Sequence, residues 1–156
     1  MEVSHATFCR AALSAAGIPR EPWPQVAVAG RSNVGKSSLI NWMLRQSLAR
    51  VAKEPGRTRA LGFYLVNRRF YLVDLPGYGY AKVAQRLRAE WGREIRRYLE
   101  EEPRLAGVVS LVDIRVGPTP LDLELQRLLL ENGRERVVVL TKADKVGRGP
   151  RAAMQR

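Results

Sequence analysis

Residues 30–37, GRSNVGKS, have the composition and spacing of a phosphate-binding loop. They match the pattern G-x-x-x-x-G-K-[ST], in which the glycines allow tight turns and successive backbone amides surround phosphate oxygens. Lys36 would neutralise the terminal phosphates of a nucleotide, and the N-terminus of the following helix would add partial positive charge. The Ser37 hydroxyl is an oxygen ligand of the kind that Mg²⁺ takes when it also holds phosphates. The predicted contacts come from Gly30, Arg31, Ser32, Asn33, Val34, Gly35, Lys36, Ser37 and Ser38.

Two further stretches carry groups that could respond to a terminal phosphate. In VDLPG, Asp74 ends a predicted strand and would support Mg²⁺, while the Gly77 amide would meet a γ-phosphate and move the loop. Thr58, in the loop PGRTRA, would close over the metal and the γ-phosphate. We therefore predict metal ligation by Ser37, Thr58 and Asp74. We predict catalytic roles for Lys36, Thr58 and Gly77, with water as the attacking group.

The stretch TKAD, residues 141–144, has the chemistry to select a guanine base. The carboxylate of Asp144 can accept hydrogen bonds from the ring N1–H and the exocyclic amine of guanine, whereas adenine offers no such pair of donors. An unpaired buried carboxylate makes this kind of discrimination steep, so the motif favours GTP or GDP over ATP. The aliphatic part of Lys142 would lie along the plane of the base.

Apolar runs that alternate with amphipathic stretches predict the elements that hold these loops. Strands are predicted at 26–29, 61–66, 69–74, 107–113 and 136–141, helices at 36–45, 85–101 and 121–131, and a short helical pattern at 8–16. Strands alternating with helices indicate a three-layer α/β fold, in which a mostly parallel sheet gains one antiparallel edge strand from a hairpin at Asn67. Ligands of such sheets lie beyond the carboxyl ends of the strands, where all three loops should meet.

Composition limits the compartment and the partners. The chain has 156 residues, enough for one domain, and no apolar run long enough to cross a membrane. Its single cysteine, Cys9, excludes an intramolecular disulfide and suits the cytoplasm. The net charge of +12 indicates a polyanionic partner, although a plain bias toward arginine would give the same count. DNA, RNA and acidic lipid remain open on composition alone.

The motifs GRSNVGKSSLIN, PGRTR, DLPGYGYA and TKADK, in this order, closely resemble those of the EngB (YihA/YsxC) family, a branch of the Era-like translational GTPases. The passage VDIRVGPTPLD is also similar to that family. The resemblance implies a Ras-like GTPase domain with GTP or GDP and Mg²⁺, a part in assembling the large ribosomal subunit, and a link to cell division and septation. It implies ribosomal RNA or a large-subunit precursor as the partner; we expect a monomer. The nucleotide contacts added by these motifs are Gly56, Arg57, Thr58, Arg59, Ala60, Asp74, Leu75, Pro76, Gly77, Thr141, Lys142, Ala143 and Asp144.

Three positions depart from the general GTPase pattern. Tyr78 stands where many signalling GTPases have a water-orienting glutamine, so we expect slow intrinsic hydrolysis. Asn33 matches an asparagine that in some Era-like relatives helps to hold K⁺ beside the phosphates; equal GTPase rates in K⁺ and Na⁺ would reject K⁺ as a cofactor here. Thr141 replaces the asparagine of most GTPases, as is usual in this family.

Domain limits and function classes follow from these assignments. We expect an N-terminal extension at 1–24 and a GTP-binding domain at 25–156 that lacks the C-terminal strand and helix with which the family continues. The main alternative is a nucleotide-binding RNA or ribosome assembly factor with negligible hydrolysis. A P-loop kinase or ATPase would need an acceptor lid or second catalytic base, for which the sequence gives no sign.

Arginines on the 85–101 helix are better candidates for RNA contact than Arg68 and Arg69. Four other conspicuous residues are expected in the core: Cys9, Trp23, Trp42 and Trp91.

Overall fold

The computed structural model describes residues 2–49, 60–79 and 85–146. The strands are β1 (Ala6–Ala12), β2 (Gln25–Gly30), β3 (Leu61–Val66), β4 (Phe70–Asp74), β5 (Leu105–Asp113) and β6 (Arg136–Thr141). The helices are α1 (Lys36–Leu44), α2 (Gln85–Glu101) and α3 (Pro120–Glu131), with single 3-10 turns at Ala15–Gly17 and Ala143–Lys145. The predicted helices and inner strands therefore occur within a residue or two of their expected bounds.

The six strands form one sheet in the order β1-β3-β4-β2-β5-β6. Strand β2 runs parallel to β4 and β5, and β6 runs parallel to β5, whereas β3 is antiparallel to β4. The three-layer α/β prediction, a Ras-like arrangement, is thus confirmed. The antiparallel hairpin strand β3 does not lie at the edge, however, because β1 pairs with its outer side in antiparallel register.

The N-terminal segment contradicts the predicted helix at 8–16. Residues 6–12 form strand β1, with a bulge between Phe8 and Arg10. Only Ala6 and Ala12 of this strand are buried, and the Phe8 ring contacts the Tyr64 ring on β3 at 5.4 Å between centroids. Pairing with the open edge of β3 has overridden a weak local pattern, since strand formation here depends on partners 49 (Ala12–Leu61) to 60 (Ala6–Val66) residues further along the chain.

Helices cover both faces of the sheet. On one face, Ile40 and Leu44 of α1 pack against sheet residues that include Val28. On the other face, Tyr98 and Leu99 of α2 and Leu129 of α3 pack against the opposite set of strand residues. Burial on both faces explains why the central strands β2 and β4 are almost continuously apolar, whereas the edge strand β6 leaves Val137 and Val138 exposed.

Two of the residues expected in the core lie elsewhere. Trp42 is 77% exposed, and Cys9 is exposed as well, so both core assignments are wrong. Trp23 is partly buried against the core of the α2 and α3 face, and the side chain of Trp91 lies outside the described residues. Among the helices in the described ranges, none has the length and apolar character needed to cross a bilayer.

Candidate functional site

The loops predicted to bind nucleotide leave one edge of the sheet side by side. In the strand registers, Val28 of β2 is opposite Asp74 of β4, and Asp113 of β5 is opposite Thr141 of β6. These strands are parallel to one another, so the segments after β2, β4, β5 and β6 emerge at their carboxyl ends. The topology therefore brings the three motifs together.

The phosphate loop depends on two glycines whose roles differ. A Cβ atom on Gly30 would lie 2.8 Å from Cγ1 of Val34 and 3.1 Å from the carbonyl oxygen of Leu111, so no side chain fits there. Gly35 has a φ of +109°, a conformation that residues with a side chain rarely adopt. It directly precedes Lys36, the first residue of α1, so the N-terminus of the helix directly follows the loop.

The Lys36 ammonium and the Asp74 carboxylate form a buried ion pair that joins the first turn of α1 to the end of β4. The two residues are 9% and 6% exposed. Burial raises the pKa of Asp74, while the charge and hydrogen bond of Lys36 oppose that rise. The pair places a cation and a carboxylate beside Ser37, where phosphate and metal chemistry is expected.

The loop after β4 lies directly against the phosphate loop. The Ser32 amide donates a hydrogen bond of 3.0 Å to the Tyr78 carbonyl, and the Ser32 hydroxyl donates a longer one of 3.5 Å to the Gly77 carbonyl. A Cβ atom on Gly77 would lie 3.2 Å from the Ser32 backbone, so glycine permits this approach. Arg31 and Tyr78 form an isolated parallel bridge at the same place. Movement of one loop must therefore disturb the other.

The segment after β6 is fastened to the phosphate loop by two side chains. The Thr141 hydroxyl donates to the Val34 carbonyl at 2.8 Å, and the Lys142 ammonium donates to the Asn33 carbonyl at 2.7 Å. Lys142 adopts a left-handed backbone conformation with a φ of +59°. The hydroxyl of Thr141 thus links the segment after β6 to the phosphate loop.

Asp113, which lies in the passage VDIRVGPTPLD but was given no role from the sequence, organises the same region. It accepts two side-chain hydrogen bonds from Arg115, at 3.0 and 2.8 Å, and one from Lys142 at 2.8 Å. These bonds, that of Arg115 first and that of Lys142 next, hold the pKa of Asp113 well below its usual range. An aspartate at the end of a buried strand, as at Asp74, was the signal that could have identified it.

The remaining predicted residues are divided between the site and the undescribed stretches. Asp144 is exposed, within the 3-10 turn Ala143–Lys145, and its carboxylate lies 3.2 Å from the Lys145 ammonium. Leu75 and Pro76 are buried, Ala60 is half-buried and Ser38 is exposed. The other four predicted contacts lie outside the described residues and stay predictions: Gly56, Arg57, Thr58 and Arg59.

The oxygen donors present suit a magnesium ion that shares its ligands with a nucleotide. The described residues contain no group of three or more His, Cys, Asp or Glu side chains that could hold a metal alone. Mg²⁺ usually binds through one or two protein oxygens plus phosphates and waters. Asp74 at the end of β4 and the Ser37 hydroxyl in the first turn of α1 fit that limited role.

Together the phosphate loop, the loop after β4 and the segment after β6 define a P-loop GTPase. Residues 25–142 match a family model described as 50S ribosome-binding GTPase. The chain is 50% identical over 153 residues to "Probable GTP-binding protein EngB" of Pelotomaculum thermopropionicum, covering 97% of this chain and 77% of that protein. The chain belongs to the EngB family of GTP-binding proteins.

Solved structures agree with this assignment. The crystal structure of a probable GTP-binding protein engB superposes with a TM-score of 0.70 at 26% identity, covering 84% of this chain and 77% of that one. A crystal structure of Era with MgGDPNP and nucleotides 1506–1542 of 16S ribosomal RNA has a TM-score of 0.63 at 25% identity, covering 84% and 44% of the two chains.

Proposed function

We propose that this chain is a cytoplasmic guanine-nucleotide switch that binds GTP with Mg²⁺, hydrolyses it slowly, and acts on a precursor of the large ribosomal subunit. GTP would order the loops at Thr58 and Gly77, and the ordered loops would create the surface that binds this precursor. Hydrolysis of GTP would release it. A role in ribosome assembly would connect the protein to cell division and septation.

One observation carries the nucleotide part of this proposal. Thr141 and Lys142 hydrogen-bond to carbonyls of the phosphate loop, which supports a single ligand site shared by the guanine motif and the loop that precedes Lys36. Lys36, the loop amides and the metal would stabilise charge on the phosphates, and the carboxylate of Asp144 would select the base. When bound, Mg²⁺ supplies positive charge to the phosphate oxygens, with Ser37, Asp74 and Thr58 as its protein partners.

Calorimetric titration with GTP, GDP and ATP in the presence of Mg²⁺ tests the assignment. We expect GTP and GDP to bind and ATP to fail, and Asp144→Asn to weaken guanine nucleotides by about 100-fold or more, because a carboxylate that accepts two hydrogen bonds is lost. Glu131→Gln removes an exposed carboxylate at the far end of α3 and serves as the matched control. Tight ATP binding, or Asp144→Asn that binds like the parent, would overturn the proposal.

Slow hydrolysis is supported by the position of Tyr78. Its hydroxyl donates its hydrogen to Asp122 on α3 at 2.6 Å, so that hydrogen is already engaged and does not replace the water-orienting glutamine. Single-turnover hydrolysis with and without large ribosomal subunits separates a slow GTPase from the alternative, an assembly factor with negligible turnover. Hydrolysis that no subunit accelerates and that stays at the uncatalysed rate would favour the alternative.

The ribosomal partner rests on charge and on relatives. The net charge of +12 favours a polyanion, and the matched family is described as ribosome-binding. Era, of similar fold, has been crystallised with ribosomal RNA. Co-sedimentation with large-subunit precursors in the GTP-bound and GDP-bound forms tests this part, and equal binding of both forms to precursors and to bulk RNA would contradict it.

A further inference from the structure

Tyr78 joins the phosphate loop to α3. Its hydroxyl donates a 2.6 Å hydrogen bond to one carboxylate oxygen of Asp122, which is 4% exposed. The other oxygen of Asp122 accepts from the Thr119 amide at 2.7 Å and from the Thr119 hydroxyl at 2.6 Å, completing the cap at the start of α3. The Asp122 carboxylate, which accepts the hydrogen bond from Tyr78, is therefore held in place by its part in the cap of α3.

The backbone of the same residue is bound on the other side. The Tyr78 carbonyl accepts the hydrogen bond from the Ser32 amide in the phosphate loop at 3.0 Å. Gly77 precedes it, in contact with Ser32, and Gly79 follows it with a φ of +80°. Two glycines thus flank a residue that is held at its side chain by α3 and at its main chain by the phosphate loop.

The hydroxyl is suited to act as a fixed donor. Burial, the hydrogen bond to Asp122 and the charge of Asp122 raise the pKa of Tyr78 well above its usual range. The phenol therefore stays neutral at physiological pH and donates to a carboxylate, a hydrogen bond stronger than one between neutral groups.

We propose that the Tyr78–Asp122 hydrogen bond is a latch that holds the Gly77 loop against Ser32 and so sets how the site discriminates GTP from GDP. The inference rests on the proposed nucleotide function. In this proposal, a γ-phosphate that recruits the Gly77 amide draws the Gly77–Tyr78 segment away from its hydrogen bonds with Ser32, and the latch opposes that movement. The phosphates of GDP need only the phosphate loop. Tyr78 is thus a positioning residue whose effect falls on the third phosphate.

The test compares Tyr78→Phe with the parent in binding GDP and the β,γ-imido analogue of GTP. Loss of the hydroxyl should raise affinity for the GTP analogue relative to GDP by about tenfold, the effect of removing one hydrogen bond to a charged group. Tyr71→Phe is a matched control, because Tyr71 on β4 also donates to a carboxylate, that of Glu21 at 3.2 Å, away from the nucleotide loops. Its affinity ratio should equal that of the parent.

The possible outcomes separate this inference from the proposed function. A parent protein that binds neither nucleotide would overturn the proposed function. If the parent binds both nucleotides but Tyr78→Phe leaves the ratio of the two affinities unchanged, the latch alone would be overturned. An equal shift of both affinities leaves that ratio unchanged and counts as the same result. Asp122→Asn, whose side-chain oxygen still accepts a weaker bond from Tyr78, should change the ratio in the same direction by less. An opposite change would contradict the latch. Thermal melting of each variant verifies that the ratio is measured on folded protein.

Discussion

The Thr141 hydroxyl donates a 2.8 Å hydrogen bond to the carbonyl of Val34, so the end of β6 is fastened to the phosphate loop across 107 residues of sequence. The Val112 carbonyl on the neighbouring strand β5 lies 3.3 Å from the same hydroxyl and is the more distant acceptor for its single hydrogen. One hydroxyl thereby links the segment that is predicted to read the base to the loop whose amides are predicted to hold the phosphates.

Replacing Thr141 by valine tests this connection. Valine keeps the shape but removes the donor, so we expect the free energy of unfolding to fall by about 1 kcal/mol and GDP affinity to fall about fivefold. The affinity falls because the guanine motif is no longer held in register with the phosphate loop. Thr141→Ser keeps the hydroxyl and should bind GDP like the parent. Calorimetry and denaturant unfolding provide the two measurements; equal GDP affinity in the valine variant would show that the bond does not position the motif.

The Lys36–Asp74 pair leads to a prediction about pH. Lys36→Met removes the positive charge that opposes the effect of burial on Asp74, so the carboxylate is left buried without its cation. We expect the free energy of unfolding to fall by about 3–5 kcal/mol near neutral pH. Burial raises the pKa of Asp74 in the folded protein, so the folded state binds the proton more tightly than the unfolded chain does. Relative to the parent, the variant should therefore be least destabilised below the unfolded pKa of Asp, near 4, and should lose stability as the pH rises from there toward 7.

The double variant Lys36→Met/Asp74→Asn provides the control for that measurement. It carries no ionisable group at either position, so its stability relative to the parent should vary much less across the same pH range. Thermal melts from pH 4 to 7 on the parent, the single variant and the double variant are sufficient. If the single variant gained stability relative to the parent with rising pH, the assigned role of burial would be wrong. Neither variant should retain tight GTP binding, since both lack the lysine.

The sequence predicted most of the inner fold because its signals there were local and strong. Helix α2 has the predicted bounds 85–101, and strand β6 has the predicted bounds 136–141. The glycine and lysine pattern of the phosphate loop imposes its geometry through contacts within a few residues, such as that between Gly30 and Val34. Such features need no knowledge of distant partners.

The errors involve long-range partners. Strand β1 forms because β3 offers an open edge, and no pattern within residues 6–12 reports that edge. In the sequence Tyr78 stands out only as a missing glutamine, since the acceptor of its hydroxyl, Asp122, lies 44 residues further along the chain. Residue type alone assigns Trp42 to the core, but helix α1 turns it to solvent while Ile40 and Leu44 face the sheet.

The arginines of α2 carry the last prediction, which concerns RNA. Arg93, Arg96 and Arg97 are exposed, and the last two form ion pairs of 2.8 and 2.9 Å with Glu100 and Glu101 one turn on. Exposed pairs of this kind contribute little free energy, so the guanidinium groups can exchange carboxylates for phosphates.

Replacing all three α2 arginines by glutamine should weaken binding to large-subunit ribosomal RNA and lower the slope of log affinity against log salt by about 0.7–0.9 for each phosphate that is no longer neutralised. The control replaces Arg68 and Arg69 by glutamine, because both are exposed at the β3–β4 hairpin and neither belongs to α2. A nonspecific effect of charge would weaken both variants in proportion to the number of arginines replaced. A lower slope confined to the α2 variant identifies that helix as an RNA-binding surface, whereas a greater weakening in the hairpin variant would assign RNA binding to the hairpin.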